Sequence, residues 1–373
     1  MRRLSDLRII LTTDAVGGVW TFATTLASAL AARGADVHLV TMGPAPREDQ
    51  RAMISASTVH LIETPLALEW QDPDGSDVPA ARDFFGRLER QLRADIVHLN
   101  SFREAAFDWN CPVVIGAHSC VNSWAIACKD TAWLSQPRWR PYTKWLAAGL
   151  NHAQAWVCPS RALHDVMVDL YHPRSPGFVI WNGTPQTESA QAEKEILILA
   201  AGRMWDSAKN LSLLKRAAGK LKWPILVAGP ADDAHDCGSA IRLLGQLRHA
   251  ELHRLMHRAA IFASPALYEP FGLSVLEAAS AGCALVLSDI ASFRELWDEA
   301  ALFIDPTDDD ALRRALIELC SDASKRTALQ QAALARSRNY SVRRMVDSYV
   351  AFYQGLLAPT PKAILTPALE VSL

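Results

Sequence analysis

The chain has 373 residues, of which half are hydrophobic and 21% are charged, and its formal net charge is −2. This length exceeds what one ordinary hydrophobic core accommodates, so we expect two domains. The near balance of charges excludes the strongly basic field with which proteins attract nucleic acid, and the hydrophobic content argues against intrinsic disorder.

The sequence carries no recognisable targeting or membrane signal. Residues 1–6 lead into an aliphatic run without the apolar core of a secretory signal. No stretch approaches the roughly 18 apolar residues that span a bilayer. The seven cysteines, an odd number with no CxxC pair, favour a reducing environment. We therefore expect a cytoplasmic protein, with the inner face of the membrane as an alternative location.

Short aliphatic runs alternate with helical patterns in the first half of the chain, as in a parallel sheet with crossover helices. After the first run, Gly17 and Gly18 open a helix over 19–33, and such a turn lets a ligand approach backbone N–H groups at the positive helix end. The stricter GxGxxG fingerprint is absent, so tight strand–helix packing explains the two glycines equally well. The runs are LRIILTT, DVHLVTM, DIVHLNS, PVVIGAHS, AWVCPS and FVIWNG.

The segment over residues 133–145, WLSQPRWRPYTKW, interleaves basic and aromatic side chains. This mixture suits an acceptor groove or an anionic membrane surface. An ordinary helix that covers the sheet, with its tryptophans buried and its charges in water, is the favoured interpretation. Peripheral membrane contact is kept as an alternative.

A polar, turn-forming segment near residues 183–194 predicts a domain linker. The alternating pattern then restarts with EILILAAGR, PILVAGP, AIRLLGQ, AIFASPA, ALVLSD and ALFIDP. We therefore predict an α/β protein of two Rossmann-like, doubly wound domains that face each other across a cleft. The predicted parts are a first domain over 1–185, a second over 186–340, a helix over 341–357 that packs across the domain junction, and a tail over 358–373.

Two cations follow the first strand of the second half, in the sequence GRMWDSAKNL. Arg203 and Lys209 stand at the carboxyl end of a parallel strand, a position that suits a diphosphate. A solvated surface pair is the alternative interpretation.

The most specific stretch runs from Glu269 to Glu277, with the sequence EPFGLSVLE. Its Pro-Phe-Gly turn presents the amides of Gly272, Leu273 and Ser274 as a helix N-terminus, where a phosphate binds favourably. Carboxylates accept hydrogen bonds from hydroxyls, so Glu269 is placed to orient a sugar and Glu277 to hold a ribose. A helix-dipole partner and an exposed helix glutamate remain open as alternatives.

No Asp-x-Asp pair stands at a strand end where a divalent ion would bridge a diphosphate. The run Asp308-Asp309-Asp310 is interpreted as the cap of a helix. The sequence therefore predicts no metal site and no bound cofactor, and an activity that does not need Mg²⁺.

Taken together, the Gly17-Gly18 turn, His118 in VVIGAHS, the Arg203 to Lys209 element and the stretch from Glu269 to Glu277 resemble the retaining glycosyltransferases of family four. That family has the GT-B fold. The resemblance extends over nearly the whole chain, from the first strand to the helix that ends at residue 357.

The resemblance implies a hexosyltransferase with a UDP- or GDP-linked sugar as donor and a sugar, lipid or small molecule as acceptor. It implies retention of anomeric configuration, an acceptor-binding first domain and a donor-binding second domain. Arg203 and Lys209 would neutralise the diphosphate, and His118 would lie beside the transferred sugar. The implied catalytic residues are His118, Arg203, Lys209 and Glu269, and the implied donor-binding residues are Gly17, Gly18, Arg203, Lys209, Glu269, Phe271, Gly272, Leu273, Ser274 and Glu277.

Two other functions stay open: a nucleotide-sugar epimerase of similar fold, and a non-catalytic subunit that binds a sugar nucleotide. The presence of all four candidate catalytic residues argues against the second. A nicotinamide-dependent dehydrogenase is disfavoured because Thr41-Met42-Gly43 occupies the region where its acidic residue would follow the second strand.

Overall fold

A computed structural model describes residues 3–186, 193–219, 221–231 and 241–358. Half of the predicted linker, residues 187–192, and all but the first residue of the predicted tail lie outside these ranges. The described chain divides into two compact units, the first formed by residues 3–126, 130–181 and 342–358 and the second by 127–129 and 182–341.

The first unit is built on a seven-stranded parallel sheet of order β3-β2-β1-β4-β5-β6-β7. Most of these strands are aliphatic and buried along their length, as expected for a sheet covered on both faces. The strands are β1 Arg8–Asp14, β2 Asp36–Met42, β3 His60–Glu63, β4 Ile96–Leu99, β5 Val113–Gly116, β6 Ala155–Cys158 and β7 Gly177–Val179, and the helices are α1 Gly18–Ala32, α2 Glu48–Ala52, α3 Val78–Leu92, α4 Val121–Ala127, α5 Arg140–His152 and α6 Arg161–Tyr171.

The second unit repeats this architecture with a six-stranded parallel sheet of order β10-β9-β8-β11-β12-β13. Its core joins aliphatic residues of the central strands to those of the flanking helices, including Ile198, Val227, Leu213 and Leu316. The strands are β8 Glu195–Ala201, β9 Ile225–Ala228, β10 Ile241–Gly245, β11 Ala259–Ser264, β12 Ala284–Ser288 and β13 Ala301–Ile304, and the helices are α7 Leu211–Ala218, α8 His249–Arg258, α9 Leu273–Ser280, α10 Ala291–Trp297, α11 Asp309–Ser321 and α12 Ala323–Ser337.

In each sheet the first strand of the unit lies in the interior, and the later strands lie on both sides of it. The strand order therefore reverses beside this strand. The reversal lies between β1 and β4 in the first unit and between β8 and β11 in the second. Ligands of open α/β sheets bind outside the carboxyl ends of the strands at such a point. The prediction of two parallel α/β units is confirmed.

The last helix, α13 (Val342–Leu357), belongs to the first unit although it follows the second in the chain. Tyr349, Phe352 and Tyr353 are on its buried face. The Phe352 ring meets Phe178 at a centroid distance of 5.2 Å, and the Tyr353 hydroxyl lies 2.6 Å from Nδ1 of the buried His98 on β4. The packing of this helix across the junction of the units stays a prediction.

Replacing Tyr353 by phenylalanine is expected to lower the free energy of unfolding by about 1–3 kcal/mol, because it leaves a buried imidazole nitrogen without its partner. Urea denaturation at pH 7 measures the change. An unchanged midpoint would show that His98 finds another partner and that the ring packing of Tyr353 alone holds the helix.

Candidate donor site

The loop that leaves β8 carries Arg203 and Lys209 to the point where the strand order of the second unit reverses. Gly229, directly after β9, lets the backbone of this loop pass close by, since a Cβ on Gly229 would lie 1.7 Å from the carbonyl oxygen of Gly202. Gly229 also adopts φ +129°, a conformation that favours glycine. The loop ends at Asn210, whose side-chain amide donates to the carbonyls of Pro265 and Pro306 at 2.9 and 2.8 Å. These bonds fix the β8–α7 loop to the loops that follow β11 and β13.

Arg203 is held by its own loop. Its Nη2 donates to Asp206 Oδ2 at 3.1 Å, while Asp206 Oδ1 accepts the N–H of Ala208 at 3.0 Å. The guanidinium also lies over the ring of Trp205, 5.6 Å from the centroid. Its Nε is buried and has no hydrogen-bond partner among the described residues.

Lys209 and Glu269 form an ion pair across the two loops. The Lys209 Nζ donates to Glu269 Oε2 at 2.6 Å, and both side chains are less than one-fifth exposed. The two charges of the pair neutralise each other. A diphosphate beside Lys209 would compete for the ammonium and leave Glu269 able to accept hydrogen bonds from sugar hydroxyls.

Helix α9 begins directly after this pair, at the predicted Pro-Phe-Gly turn. Gly272 adopts φ +85° as its N-cap, a conformation in which any other residue would be strained. The first amides of an α-helix, here those of Leu273 and Ser274, have no acceptor within the helix and suit an anion. The Phe271 side chain is buried and packs edge-on against Tyr340, so its own contact with a donor stays a prediction.

Glu277 lies one turn into α9 and is 7% exposed. Its Oε1 lies 3.2 Å from Nε2 of His249 and 3.7 Å from Nε2 of His253, both on α8. Burial acts to raise the pKa of Glu277, but the two nearby imidazoles, of His249 and His253, outweigh it and hold the pKa at about 2. The carboxylate is therefore ionised at neutral pH. Sequence reasoning missed both histidines, although their spacing of four in a helical pattern places them on one face.

In the first unit, the predicted residues lie at the carboxyl ends of central strands. Gly17 is the N-cap of α1, and Gly18 is its first residue, directly beyond β1. His118 follows β5, and its Nε2 lies 3.0 Å from Oδ1 of Asn100. Because the Asn100 amide nitrogen donates to the Thr12 carbonyl at 2.6 Å, its oxygen must accept, so the proton of His118 is on Nε2. Asn100 is a third residue that sequence reasoning missed.

His118 and His98 lie next to each other above Gly116, where a Cβ would come within 2.8 Å of His98 Nε2. Burial lowers the pKa of His118 to about 4, and burial together with the charge of His118 lowers the pKa of His98 to about 3. Both imidazoles are therefore neutral at physiological pH. A neutral His118 acts as a hydrogen-bonding group and not as a cation.

These depressed pKa values predict how stability depends on pH. The ordinary pKa is 6.5, so the unfolded chain binds more protons than the folded chain between about pH 6.5 and 4, and stability is complete above this window and lost as pH falls through it. We expect urea unfolding at pH 7, 6 and 5 to show a shallower decline in His98→Gln than in wild type. Other titrating groups, such as Glu69, contribute equally to the pH dependence of unfolding in both proteins, so their contributions cancel in the comparison. Parallel declines would contradict a neutral, buried His98.

Two other predicted features have defined places. Asp308 is the N-cap of α11, and its Oδ1 accepts the N–H of Ala311 at 2.8 Å, which confirms the predicted helix cap.

In the basic and aromatic segment over residues 133–145, the rings of Trp133 and Trp139 pack edge to face with their centroids 4.7 Å apart. The Tyr142 hydroxyl accepts the N–H of Val121. No helix among the described residues is long and apolar enough to span a membrane. A peripheral membrane contact stays a prediction.

Comparison with known proteins agrees with this arrangement. The model of Glycosyltransferase Family 4 matches residues 16–187, and that of Glycosyl transferases group 1 matches residues 185–336. The chain is 36% identical over 101 residues to O-antigen chain mannosyltransferase B of Escherichia coli, covering 27% of this chain and 26% of that protein. It is 26% identical over 376 residues to a glycogen synthase of Mycobacterium tuberculosis, covering 87% of this chain and 86% of that one.

A solved structure with the same fold is Anabaena HepE in complex with UDP and glucose. It is 15% identical, with a TM-score of 0.73 over 94% of this chain and all of that one. The two family models together match residues 16–336, which include most of both α/β units. The chain belongs to the family-four glycosyltransferases and has their GT-B fold.

Proposed function

We propose that this protein transfers a hexosyl group from a UDP- or GDP-linked sugar to an acceptor hydroxyl, with retention of anomeric configuration and without a divalent metal ion. The observation that carries the proposal is the pairing of Lys209 with Glu269 beside the N-terminus of α9. A cation, a carboxylate and free helix amides thus converge at the strand reversal of the second unit. Such a set binds a diphosphate and a sugar together.

The electrostatics of the reaction explain each group. Departure of a nucleoside diphosphate builds negative charge on the phosphates and positive charge on the anomeric carbon. Lys209, Arg203 and the amides at the start of α9 stabilise the phosphate charge, and such preorganised donors are the largest single contribution to many enzymatic rates. Glu269 orients the sugar through its hydroxyls, and Glu277 accepts hydrogen bonds from the ribose.

Metal independence follows from the same cations. Mg²⁺ takes oxygen ligands, usually one or two carboxylates besides the phosphates. Here Glu269 is bound to Lys209 and Asp206 to Arg203, so the carboxylates near the proposed diphosphate position are neutralised by fixed positive charges. In the proposal these positive charges neutralise the diphosphate in place of Mg²⁺.

Retention and the role of His118 rest on family membership. In the proposal the acceptor hydroxyl attacks on the face that the diphosphate leaves, and a phosphate oxygen accepts its proton. The neutral His118 hydrogen-bonds the transferred sugar. The acceptor is a sugar, a lipid or a small molecule, and the E. coli relative is named as a mannosyltransferase, which favours GDP-mannose among the donors to be tried.

A donor panel tests the proposal. Purified protein is incubated with UDP-glucose, UDP-N-acetylglucosamine or GDP-mannose in EDTA and again in Mg²⁺, with mixed sugar and lipid acceptors, and released nucleoside diphosphate is quantified. We expect release from one donor at equal rates in both buffers, and an axial-to-axial or equatorial-to-equatorial relation of donor and product by NMR. An epimeric nucleotide sugar would instead identify an epimerase, and tight binding without turnover would identify a binding subunit.

A further inference from the structure

The contact between α8 and α9 brings two imidazoles to the carboxylate of Glu277. His249 and His253 are one helical turn apart, and their ring centroids are 4.4 Å apart. Their nitrogens and a carboxylate oxygen of Glu277 all lie within 4.8 Å of one another. The two histidine side chains are 40% and 33% exposed, so the cluster is open to solvent on one side.

We propose that His249, His253 and Glu277 bind a divalent transition-metal ion of the Zn²⁺ or Co²⁺ type. Two histidines four residues apart on a helix, completed by a carboxylate from a second element, form a set of three ligands with an open position. Imidazole ligands suit Zn²⁺ and Co²⁺, whereas Mg²⁺ takes oxygen ligands. The site is therefore distinct from any Mg²⁺ requirement of the transfer reaction.

A second observation supports a ligand at this place. The Nε2 atom of His253 is buried and has no hydrogen-bond partner among the described residues. A buried polar nitrogen without a partner is costly, and coordination would satisfy it.

The site has a regulatory consequence, which rests on the proposed function. Glu277 is the proposed ribose ligand, so a metal ion that engages its carboxylate removes the acceptor that the nucleotide needs. Metal and nucleotide then weaken each other's binding by the same factor, as linkage requires. We expect saturating Co²⁺ to raise the Kd of UDP or GDP, whichever binds, by at least about tenfold.

Cobalt titration of the full chain, without a histidine tag and followed by visible absorption, tests the site directly. We expect one equivalent to bind with the absorption of a low-coordinate Co²⁺ ion, and His253→Asn and His249→Asn each to weaken binding at least about tenfold. The matched control is His60→Asn, because Asp36 Oδ1 lies 3.1 and 3.5 Å from Nε2 of His38 and His60 in a second such cluster. Binding that His60→Asn abolishes and both α8 variants keep would overturn the assignment.

Nucleotide titration in EDTA separates the site from the proposed function. Binding of Co²⁺ without binding of UDP or GDP would refute the function and leave the metal site standing, and nucleotide binding without Co²⁺ binding would refute the metal site alone. The effect of Co²⁺ on the Kd of the nucleotide is compared between wild type and His253→Asn. The comparison is needed because free nucleotide also chelates Co²⁺ in solution, and this affects both titrations equally. An identical effect in the two proteins would overturn the competition, and circular dichroism confirms that each variant is folded.

Discussion

Replacing Lys209 by methionine is expected to lower kcat/KM for the donor about 10²–10³-fold, with most of the loss in kcat. In the proposed function the Lys209 ammonium stabilises the leaving diphosphate, and it is less than one-fifth exposed, so water replaces it poorly. Charge on the phosphates is greatest in the transition state, and an interaction made mainly there affects kcat more than KM. Initial rates of nucleoside diphosphate release at several donor concentrations measure the effect.

The matched control is Lys222→Met. Lys222 is exposed and precedes β9, at the amino end of the strand, and should leave the rate unchanged. Glu269→Gln adds a further check, because residues that act as a pair are not additive. The double variant should therefore be scarcely slower than the slower single variant. A loss in Lys209→Met of less than threefold, or one confined to KM, would mean that other groups carry the leaving-group charge.

The largest stability effect is expected from Arg103→Met in the first unit, at about 3–5 kcal/mol. Arg103 is 3% exposed, and it donates to Asp72 and to the fully buried Glu104 at 2.9 Å each. Its removal leaves these carboxylates buried without a counter-charge. A third carboxylate, Glu69, already has its pKa raised to about 8 by burial and by the charge of Glu104. Urea unfolding of the full chain measures the loss.

An exposed arginine provides the control for this change. Arg87 pairs with Asp83 on α3, and both side chains are more than half exposed, so Arg87→Met should leave the unfolding midpoint unchanged. An equal shift of the unfolding midpoint in the two variants would show that water reaches Arg103, Asp72 and Glu104, so that folding does not bury their charges.

The fold could be predicted from the sequence because its signals are local. Buried parallel strands read as aliphatic runs, and their alternation with helical patterns predicts crossover connections. The Gly272 turn and the Asp308 cap depend on neighbouring residues alone, so the sequence predicted both. The run FVIWNG extends beyond the strand that it contains, since β7 ends at Val179.

The contacts that complete the site depend on residues distant in the chain. Lys209 and Glu269 were each predicted for the donor, but their mutual ion pair joins positions 60 residues apart. The histidines beside Glu277 are on another helix, and Asn100 reaches His118 only because β4 and β5 are adjacent in the sheet. A single sequence gives the type of each side chain, and the strand order determines which of them meet.

The most direct test of the central claim is a crystal structure of the protein with UDP or GDP bound in EDTA. We expect the diphosphate to lie within hydrogen-bonding distance of Lys209 Nζ and of the Leu273 and Ser274 amides, and the ribose hydroxyls to contact Glu277. A nucleotide bound elsewhere, or with its phosphates away from the N-terminus of α9, would contradict the assignment of this site to the donor.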